Sequence, residues 1–166
     1  MLIVLRGNSG SGKTSTAKLL REAALLNDSQ RKIALIEQDY IRRTILKEKE
    51  SEGTDNIDLI FETVAFALER EYVVVLEGIL FSKRYKDMLT KLRGLSVSNY
   101  FYYFDISLTE TLNRHAQKSN AHEFGEEEMT EWYVHRDVLD FENETIIEEG
   151  TSQKQALDLI LEDTGL

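Results

Sequence analysis

The chain alternates between short, wholly apolar runs and longer segments in which apolar residues recur every three or four positions. The apolar runs predict buried β-strands, and the helical spacing between them predicts amphipathic helices. Strands that are apolar on both faces and alternate with helices are typical of a parallel sheet covered on each side. The pattern therefore predicts a single α/β domain over residues 1–166. The predicted strands cover residues 2–5, 33–36, 73–76, 100–104 and 145–147.

Helices are predicted after each strand. Ser107 with Glu110, and Ser152 with Gln155, have the spacing of a capping box, and Ser82 is a candidate N-cap. A polar stretch at residues 115–125 separates two of the shorter helices. The predicted helices lie around residues 17–24, 40–47, 57–68, 85–92, 108–112, 129–133 and 156–160.

The first predicted strand runs directly into Gly7-Asn8-Ser9-Gly10-Ser11-Gly12-Lys13-Thr14. This octapeptide matches G-x-x-x-x-G-K-[ST], the phosphate-binding loop (P-loop) or Walker A motif, at every fixed position. Its glycines let consecutive N–H groups point at phosphate oxygens, and the following helix adds its positive N-terminal end. We expect Lys13 to reach the β- and γ-phosphates and the Thr14 hydroxyl to ligate Mg²⁺. The motif therefore predicts that the protein binds a nucleoside triphosphate.

The remainder of the chain narrows the class of P-loop protein. The N-K-x-D segment that usually accompanies guanine specificity does not occur. The chain resembles the small P-loop kinases, which include nucleotide, gluconate and shikimate kinases, chloramphenicol phosphotransferase and the zeta toxins. The resemblance implies a three-layer fold with a five-stranded parallel sheet, order 2-3-1-4-5, and a small lid at about residues 114–126. It also implies a phosphotransferase that uses ATP and Mg²⁺ and acts on a hydroxyl or phosphate of a small molecule.

The residues after the second predicted strand carry a further part of this resemblance. In zeta-toxin-like kinases an Asp follows this strand, with an Arg three residues on, and binds and deprotonates the acceptor hydroxyl. Asp39 and Arg42 have that spacing, and the carboxyl edge of such sheets binds ligands. Asp39 is therefore the candidate base, and Arg42 and Arg43 are candidate clamps for the acceptor. Asp39 also has the position of a helix N-cap, and Glu37 is the alternative base.

Two further candidates lie later in the chain. The third predicted strand ends in Glu77, at a Walker B-like position from which a carboxylate holds Mg²⁺ or positions the acceptor. The alternative for Glu77 is a structural carboxylate paired with a neighbouring cation. In the lid, the resemblance implies that Arg114 and Lys118 neutralise the transferring phosphoryl group. Arg114 is also placed to interact favourably with a helix C-terminus.

Charge is distributed unevenly, within a net charge of -10. Residues 1–100 hold 16 Lys+Arg and 14 Asp+Glu, a net of +2, whereas residues 101–166 hold 4 and 16, a net of -12. The acidic surplus argues against nucleic acid or anionic membrane as a partner. The near-neutral part that contains the P-loop remains suited to an anionic ligand. Arg136 is expected to pair with Asp137 or Asp140.

The histidine spacing, the length of the apolar runs and the lack of cysteine argue against a metal site and a membrane span. His115, His122 and His135 match no short metal-ligand spacing and no cysteine assists them, so a zinc site is not expected. No apolar run approaches the length of a membrane span, and the absence of cysteine fits a cytoplasmic protein. The competing hypotheses are a nucleoside or nucleotide kinase and a regulatory or toxin-like ATPase module without a small-molecule acceptor.

Overall fold

The computed structural model of the protein describes residues 1–49, 53–95, 98–117 and 125–166. Strands and helices alternate along these residues, as predicted. The strands are β1 (Leu2–Gly7), β2 (Ile33–Glu37), β3 (Val73–Gly78), β4 (Asn99–Asp105) and β5 (Glu144–Glu148). The α-helices are α1 (Lys13–Asn27), α2 (Asp55–Glu69), α3 (Ser82–Arg93), α4 (Leu108–Ala116), α5 (Glu126–Trp132) and α6 (Gln153–Thr164), and a π-helix spans Tyr40–Ile45.

The five strands form one parallel sheet in the order β2-β3-β1-β4-β5. This confirms the order that the resemblance implied. Because the strands are parallel, their carboxyl ends share one edge, and the loops that follow β1, β2 and β3 meet there. The register places Glu37 of β2 beside Glu77 of β3, and Arg6 of β1 beside Gly78 of β3. The sheet thus gathers residues that are far apart in the sequence.

Helices cover both faces of the sheet, and β1 shows how. Leu2 and Val4 belong to the apolar core that α2 and α3 cover, whereas Ile3 and Leu5 belong to the core under α1 and α6. All four side chains are fully buried, which is worth roughly 1.5–3 kcal/mol for each residue of this size. A strand buried on both faces explains why its sequence is apolar throughout rather than alternating.

Local features of three helices differ from the expectations. The polar helix expected at residues 40–47 is a six-residue π-helix, Tyr40–Ile45, a form that often marks functional sites. Ser82 is the first residue of α3 rather than its N-cap, because its hydroxyl and N–H both donate to Asp137. Ser107 caps α4 through its hydroxyl, but the reciprocal bond of the predicted capping box does not form, because the Ser107 N–H donates to Glu149 instead. The capping box at the start of α6 is confirmed.

The expected lid, about residues 114–126, lies mostly outside the described residues, since the structure describes only 114–117 and 125–126 of it. The helix that follows it, α5, is present as predicted. None of the helices in the described parts of the chain is long and apolar enough to cross a membrane.

Candidate nucleotide and acceptor site

The loop between β1 and α1 has the backbone conformation that a phosphate cradle requires. Gly7, Gly10 and Gly12 have φ angles of 147°, 80° and 100°, which glycine adopts without steric cost. A Cβ on Gly10 would lie only 2.6 Å from the carbonyl oxygen of Thr111, so a larger residue does not fit there. Helix α1 begins at Lys13 and turns its first N–H groups and its positive end towards the loop. The loop therefore has the geometry of an anion-binding nest.

Lys13, Thr14 and Glu77 come together beside this loop. Lys13 is buried, and its Nζ donates to the carbonyl oxygen of Asn8 at 3.0 Å. The Thr14 hydroxyl donates to Glu77 Oε2 at 3.0 Å. Glu77 is only 4% exposed, because it is the penultimate residue of β3, which lies next to β1 inside the sheet. The predicted lysine, hydroxyl and carboxylate thus form one cluster at the carboxyl edge.

The environment of Glu77 disfavours its negative charge. Burial raises the pKa of Glu77 above its ordinary value, and the nearby Glu37 and Asp39 carboxylates raise it further. The attraction of Lys13 and the hydrogen bond from Thr14 act in the opposite direction but do not cancel the increase. The site therefore contains a buried carboxylate whose charge is incompletely compensated, which is a common property of ligand sites.

The donor groups present here fit an ATP molecule with Mg²⁺. Mg²⁺ prefers oxygen ligands and usually takes one or two carboxylates together with substrate phosphates and water, and Thr14 and Glu77 supply such oxygens. No cluster of three or more His, Asp or Glu side chains that could hold a metal occurs among the described residues, so phosphate oxygens would have to complete the metal shell. The Ser11 hydroxyl, 1% exposed, has no hydrogen-bond partner among those residues, and a phosphate oxygen could satisfy it.

Asp39 lies at the same edge, between β2 and the π-helix. Its Oδ1 accepts a hydrogen bond from Arg42 at 2.7 Å and lies 3.6 Å from Arg43 Nε. Asp39 occupies the N-cap position, but its side chain makes no capping hydrogen bond. Arg42 is almost fully buried and also donates to the Glu48 carbonyl oxygen at 3.3 Å. Glu37, the alternative base, lies 3.7 Å from Lys18.

Helix α4 brings Arg114 against the P-loop. The Arg114 Nη1 donates to the Ser11 carbonyl oxygen at 3.1 Å, and its Nε donates to Glu110 Oε1 at 2.6 Å. Because Glu110 is one helical turn earlier, this ion pair directs the guanidinium towards the loop. Lys118, the other cation assigned to the lid, lies outside the described residues.

A groove of about 390 Å³ continues from the P-loop past Arg114. Gly12 and Arg114 line it together with Ile147 and residues 151–153. Its volume and its mixture of apolar and polar groups suit a small planar ligand such as a nucleobase. The groove thus adds to the P-loop a cavity within the usual volume range of small-ligand pockets.

Arg6 is a residue of this edge that the sequence analysis missed. It is fully buried, and its guanidinium binds Asp137 at 2.5 Å and Glu144 at 2.8 Å. The same group lies 5.1 Å from the centre of the Tyr103 ring. A charged residue at the end of an apolar strand, one position before the P-loop, is the signal that could have found it.

The pairing expected for Arg136 is wrong. Its Nη1 lies 3.7 Å from Asp105 Oδ2, because Asp137 is bound to Arg6 instead. Asp140, the other expected partner, lies 3.4 Å from Lys86. Arg136 therefore links its segment to the end of β4 rather than to its own neighbours.

The structure describes two of the three histidines. His115 is buried within α4 and His135 is exposed, and His122 lies outside the described residues. The structure thus adds nothing to a zinc hypothesis.

A family comparison identifies the class of this protein. The model of the family described as "AAA domain" matches residues 2–137. The chain therefore belongs to this family of P-loop domains. No curated protein shows significant sequence similarity to it.

Solved structures resemble the chain over nearly its whole length. One is the APS kinase CysC of Mycobacterium tuberculosis in complex with AMPPNP and APS, with a TM-score of 0.72 and 15% identity, covering 97% of this chain and 95% of that chain. A gluconokinase from Sinorhizobium meliloti 1021 has a TM-score of 0.65 and 18% identity, and the match covers 94% of this chain and 86% of that chain. The tunicamycin resistance protein of Deinococcus radiodurans also has a TM-score of 0.65 and 18% identity, and the match covers 99% of this chain and 96% of that chain. At these identities the similarity shows the fold, which is that of the small P-loop kinases.

Proposed function

We propose that the protein is an ATP- and Mg²⁺-dependent kinase that phosphorylates a hydroxyl or phosphate group of a small molecule. The observation that carries this proposal is the 3.0 Å hydrogen bond between Thr14 and Glu77 beside the buried Lys13. A P-loop hydroxyl and a strand-end carboxylate in contact are the pair that binds Mg²⁺ with a triphosphate in P-loop enzymes. The similarity to structures of small-molecule kinases supports the same reaction class.

The triphosphate would lie in the nest of residues 7–14, with the base in the groove beyond Arg114. Lys13 and the loop N–H groups would bind the β- and γ-phosphates, and Thr14 and Glu77 would hold Mg²⁺. When bound, the metal offsets the charge that develops on the phosphate oxygens. Binding of a cation next to Glu77 also supplies the compensation that this buried carboxylate lacks.

The acceptor would bind at the carboxyl end of β2. Asp39 accepts the proton of the acceptor hydroxyl while the acceptor oxygen bonds to the γ-phosphorus and the bond to the β-phosphate oxygen breaks, releasing ADP. For a phosphate acceptor that is already ionised, Asp39 has only to orient it. Arg42 and Arg43 would bind an anionic group of the acceptor, while the 2.7 Å contact of Arg42 also holds Asp39 in place. Arg114 and Lys118 would offset charge on the transferred group.

The first test is whether MgATP binds and whether its consumption depends on an acceptor. Calorimetric titration should show MgATP binding to the wild type and none to Lys13→Ala. A coupled assay of ATP consumption should then give a signal with some members of a panel of nucleosides, nucleotides, sugars and aminoglycosides. Hydrolysis that is equal with and without every acceptor would instead indicate the regulatory or toxin-like ATPase.

The second test concerns Asp39 and uses the acceptor so identified. Asp39→Asn should leave MgATP affinity nearly unchanged but lower phosphoryl transfer by about 10²–10⁴-fold, the usual range for a general base. Asp87→Asn, an exposed carboxylate on α3, is the matched control and should transfer at the wild-type rate. Full activity of Asp39→Asn would exclude Asp39 as the base.

A further inference from the structure

The segment 134–137, which follows α5, is bonded to the P-loop through Asn8. The Asn8 side-chain amide donates to the carbonyl oxygen of Val134 at 2.8 Å, and its Oδ1 accepts the Val134 N–H at 3.0 Å. Asn8 is only 4% exposed. Its carboxamide therefore pairs with the main chain of Val134 as a neighbouring strand would, across 126 positions of sequence.

A second contact joins the same segment to β1. Asp137 binds the Arg6 guanidinium at 2.5 Å, and its N–H donates to the Tyr103 hydroxyl at 2.9 Å. Ser82 donates to the Asp137 carboxylate from its N–H at 2.9 Å and also from its hydroxyl. Arg6 and Asn8 flank Gly7, so the first turn of the P-loop is held from both sides by one segment.

The main chain of Asn8 in turn holds the groups that bind phosphate. Its carbonyl oxygen accepts hydrogen bonds from Lys13 Nζ at 3.0 Å and from the Ser11 N–H at 3.2 Å. Any shift of Asn8 therefore shifts the Lys13 ammonium and the turn of the loop together. The P-loop pattern leaves this second position open to any residue, so the motif alone assigns no role to the Asn8 side chain.

We propose that Asn8 is a positioning residue that couples segment 134–137 to the P-loop and thereby sets the place of Lys13. The proposal rests on the proposed nucleotide binding. Because coupling between two sites is reciprocal, occupancy of the loop is transmitted to the segment. Trp132, the only tryptophan of the chain, ends α5 two residues before Val134. Its fluorescence should therefore change when a nucleotide occupies the loop and the segment responds.

The test compares MgATP binding to Asn8→Ala, Val134→Pro and the double variant by calorimetry, at a temperature where circular dichroism shows each protein folded. Val134→Pro removes the N–H that Asn8 accepts, and Tyr133 before it already has φ -68° and ψ 127°, which proline permits. Each single variant should bind MgATP about tenfold more weakly, equal to roughly 1.4 kcal/mol. The double variant should lose no more than the larger single effect, since both changes break one connection.

Asn143→Ala is the matched control. Its side chain also makes two hydrogen bonds, to Asn99 at 3.1 and 3.0 Å, but at the start of β4, the opposite edge of the sheet. It should bind MgATP with wild-type affinity. If it weakens binding as much as Asn8→Ala does, the effect is general destabilisation and the proposal is wrong.

Fluorescence of Trp132 provides a signal that a purely structural role would not change. Saturating MgATP should alter it in the wild type and leave it nearly unchanged in Asn8→Ala, even where calorimetry confirms saturation. An equal response in both proteins would overturn the proposal, and this comparison decides the matter if Val134→Pro does not fold. Unchanged affinity of Asn8→Ala would also overturn it, while leaving the proposed function intact. A wild type that binds no MgATP would refute both.

Discussion

Glu77→Gln should make the nucleotide-free protein more stable and at the same time remove Mg²⁺-dependent nucleotide binding. Glutamine has the shape of glutamate and can still accept the hydrogen bond from Thr14, now 3.0 Å long. It removes a negative charge that burial and the neighbouring Glu37 and Asp39 disfavour. The same substitution would thus raise the stability of the protein and abolish its nucleotide binding, which is the trade-off expected at a ligand-binding site.

The size of the gain follows from opposing contributions. A hydrogen bond to a charged group is worth about 1.5–3 kcal/mol and a neutral one about 0.5–1.5, so the Thr14 bond weakens by roughly 1 kcal/mol. Removing the ion also ends a burial penalty that amounts to several kcal/mol for each ion, and loses the attraction of Lys13. Because the pKa of Glu77 is raised overall, the penalty for burying its charge is larger than the stabilisation from Lys13 and Thr14. We expect a net gain of roughly 0.5–2 kcal/mol, with about 2–4 °C in Tm for each kcal/mol.

The stability that Glu77→Gln gains over the wild type should increase with pH. The pKa of Glu77 is higher in the folded protein than in the unfolded chain, so folding binds its proton more tightly. Below about pH 3 the group is protonated in both states, and wild type and Glu77→Gln should differ little. As the pH rises through the unfolded and then the folded pKa, only the wild type loses the stability that this group contributes. The difference should therefore grow with pH and become constant once Glu77 is ionised in the folded protein.

Thermal unfolding followed by circular dichroism from pH 4 to pH 8, with and without MgATP, measures both effects. MgATP at 100 times its Kd should stabilise the wild type by about 2.7 kcal/mol and Glu77→Gln hardly at all. Glu37→Gln, one strand away and partly exposed, is the control and should keep the response to MgATP. A Glu77→Gln protein that is less stable at pH 7, or a difference that does not vary with pH, would refute the reasoning.

Three further predictions concern the frame of the site. Arg6→Met leaves Asp137 and Glu144 buried without their cation, and should cost about 3–5 kcal/mol in urea unfolding; a cost below about 1 kcal/mol would contradict the ion network. Gly10→Ala should abolish MgATP binding in calorimetry because of the 2.6 Å clash with Thr111. Its control is Gly53→Ala, which has a similar φ of +71° but open space around it, and normal binding by Gly10→Ala would show that the loop can shift. Arg114→Ala should weaken binding of MgATP by calorimetry through loss of its contact with the P-loop, and an unchanged Kd would remove Arg114 from the nucleotide site.

Much of the fold could be predicted because its signals are local. Apolar runs such as residues 73–76 predict strands wherever they are buried on both faces, and the octapeptide 7–14 predicts its own turn, since all three of its glycines take positive φ angles. The position of the helix at Tyr40–Ile45 was predicted, but its π form was not, because the spacing of apolar residues over so few positions does not distinguish a π-helix from an α-helix.

The residues of the candidate site also fall into those that local sequence signals reveal and those whose partners are distant in the sequence. Lys13 and Thr14 belong to one continuous motif, and Glu77 and Asp39 could be found because each ends or follows a strand. The partners of Arg6, by contrast, lie 131 and 138 positions away, and the expected pairing of Arg136 within its own segment was wrong. Charge proximity along the chain is a poor guide where a segment is held by residues from distant strands.

The sequence by itself determined an α/β fold and a loop with the geometry for phosphate, because both depend on periodicity and on contiguous residues. Only the tertiary structure decided what surrounds that loop. It brought Glu77 to Thr14, Arg114 to Ser11 and Val134 to Asn8. The physical reason is that hydrogen bonds and buried charges are satisfied by whichever groups the packed sheet and helices place within about 3 Å, and no spacing along the chain encodes that distance.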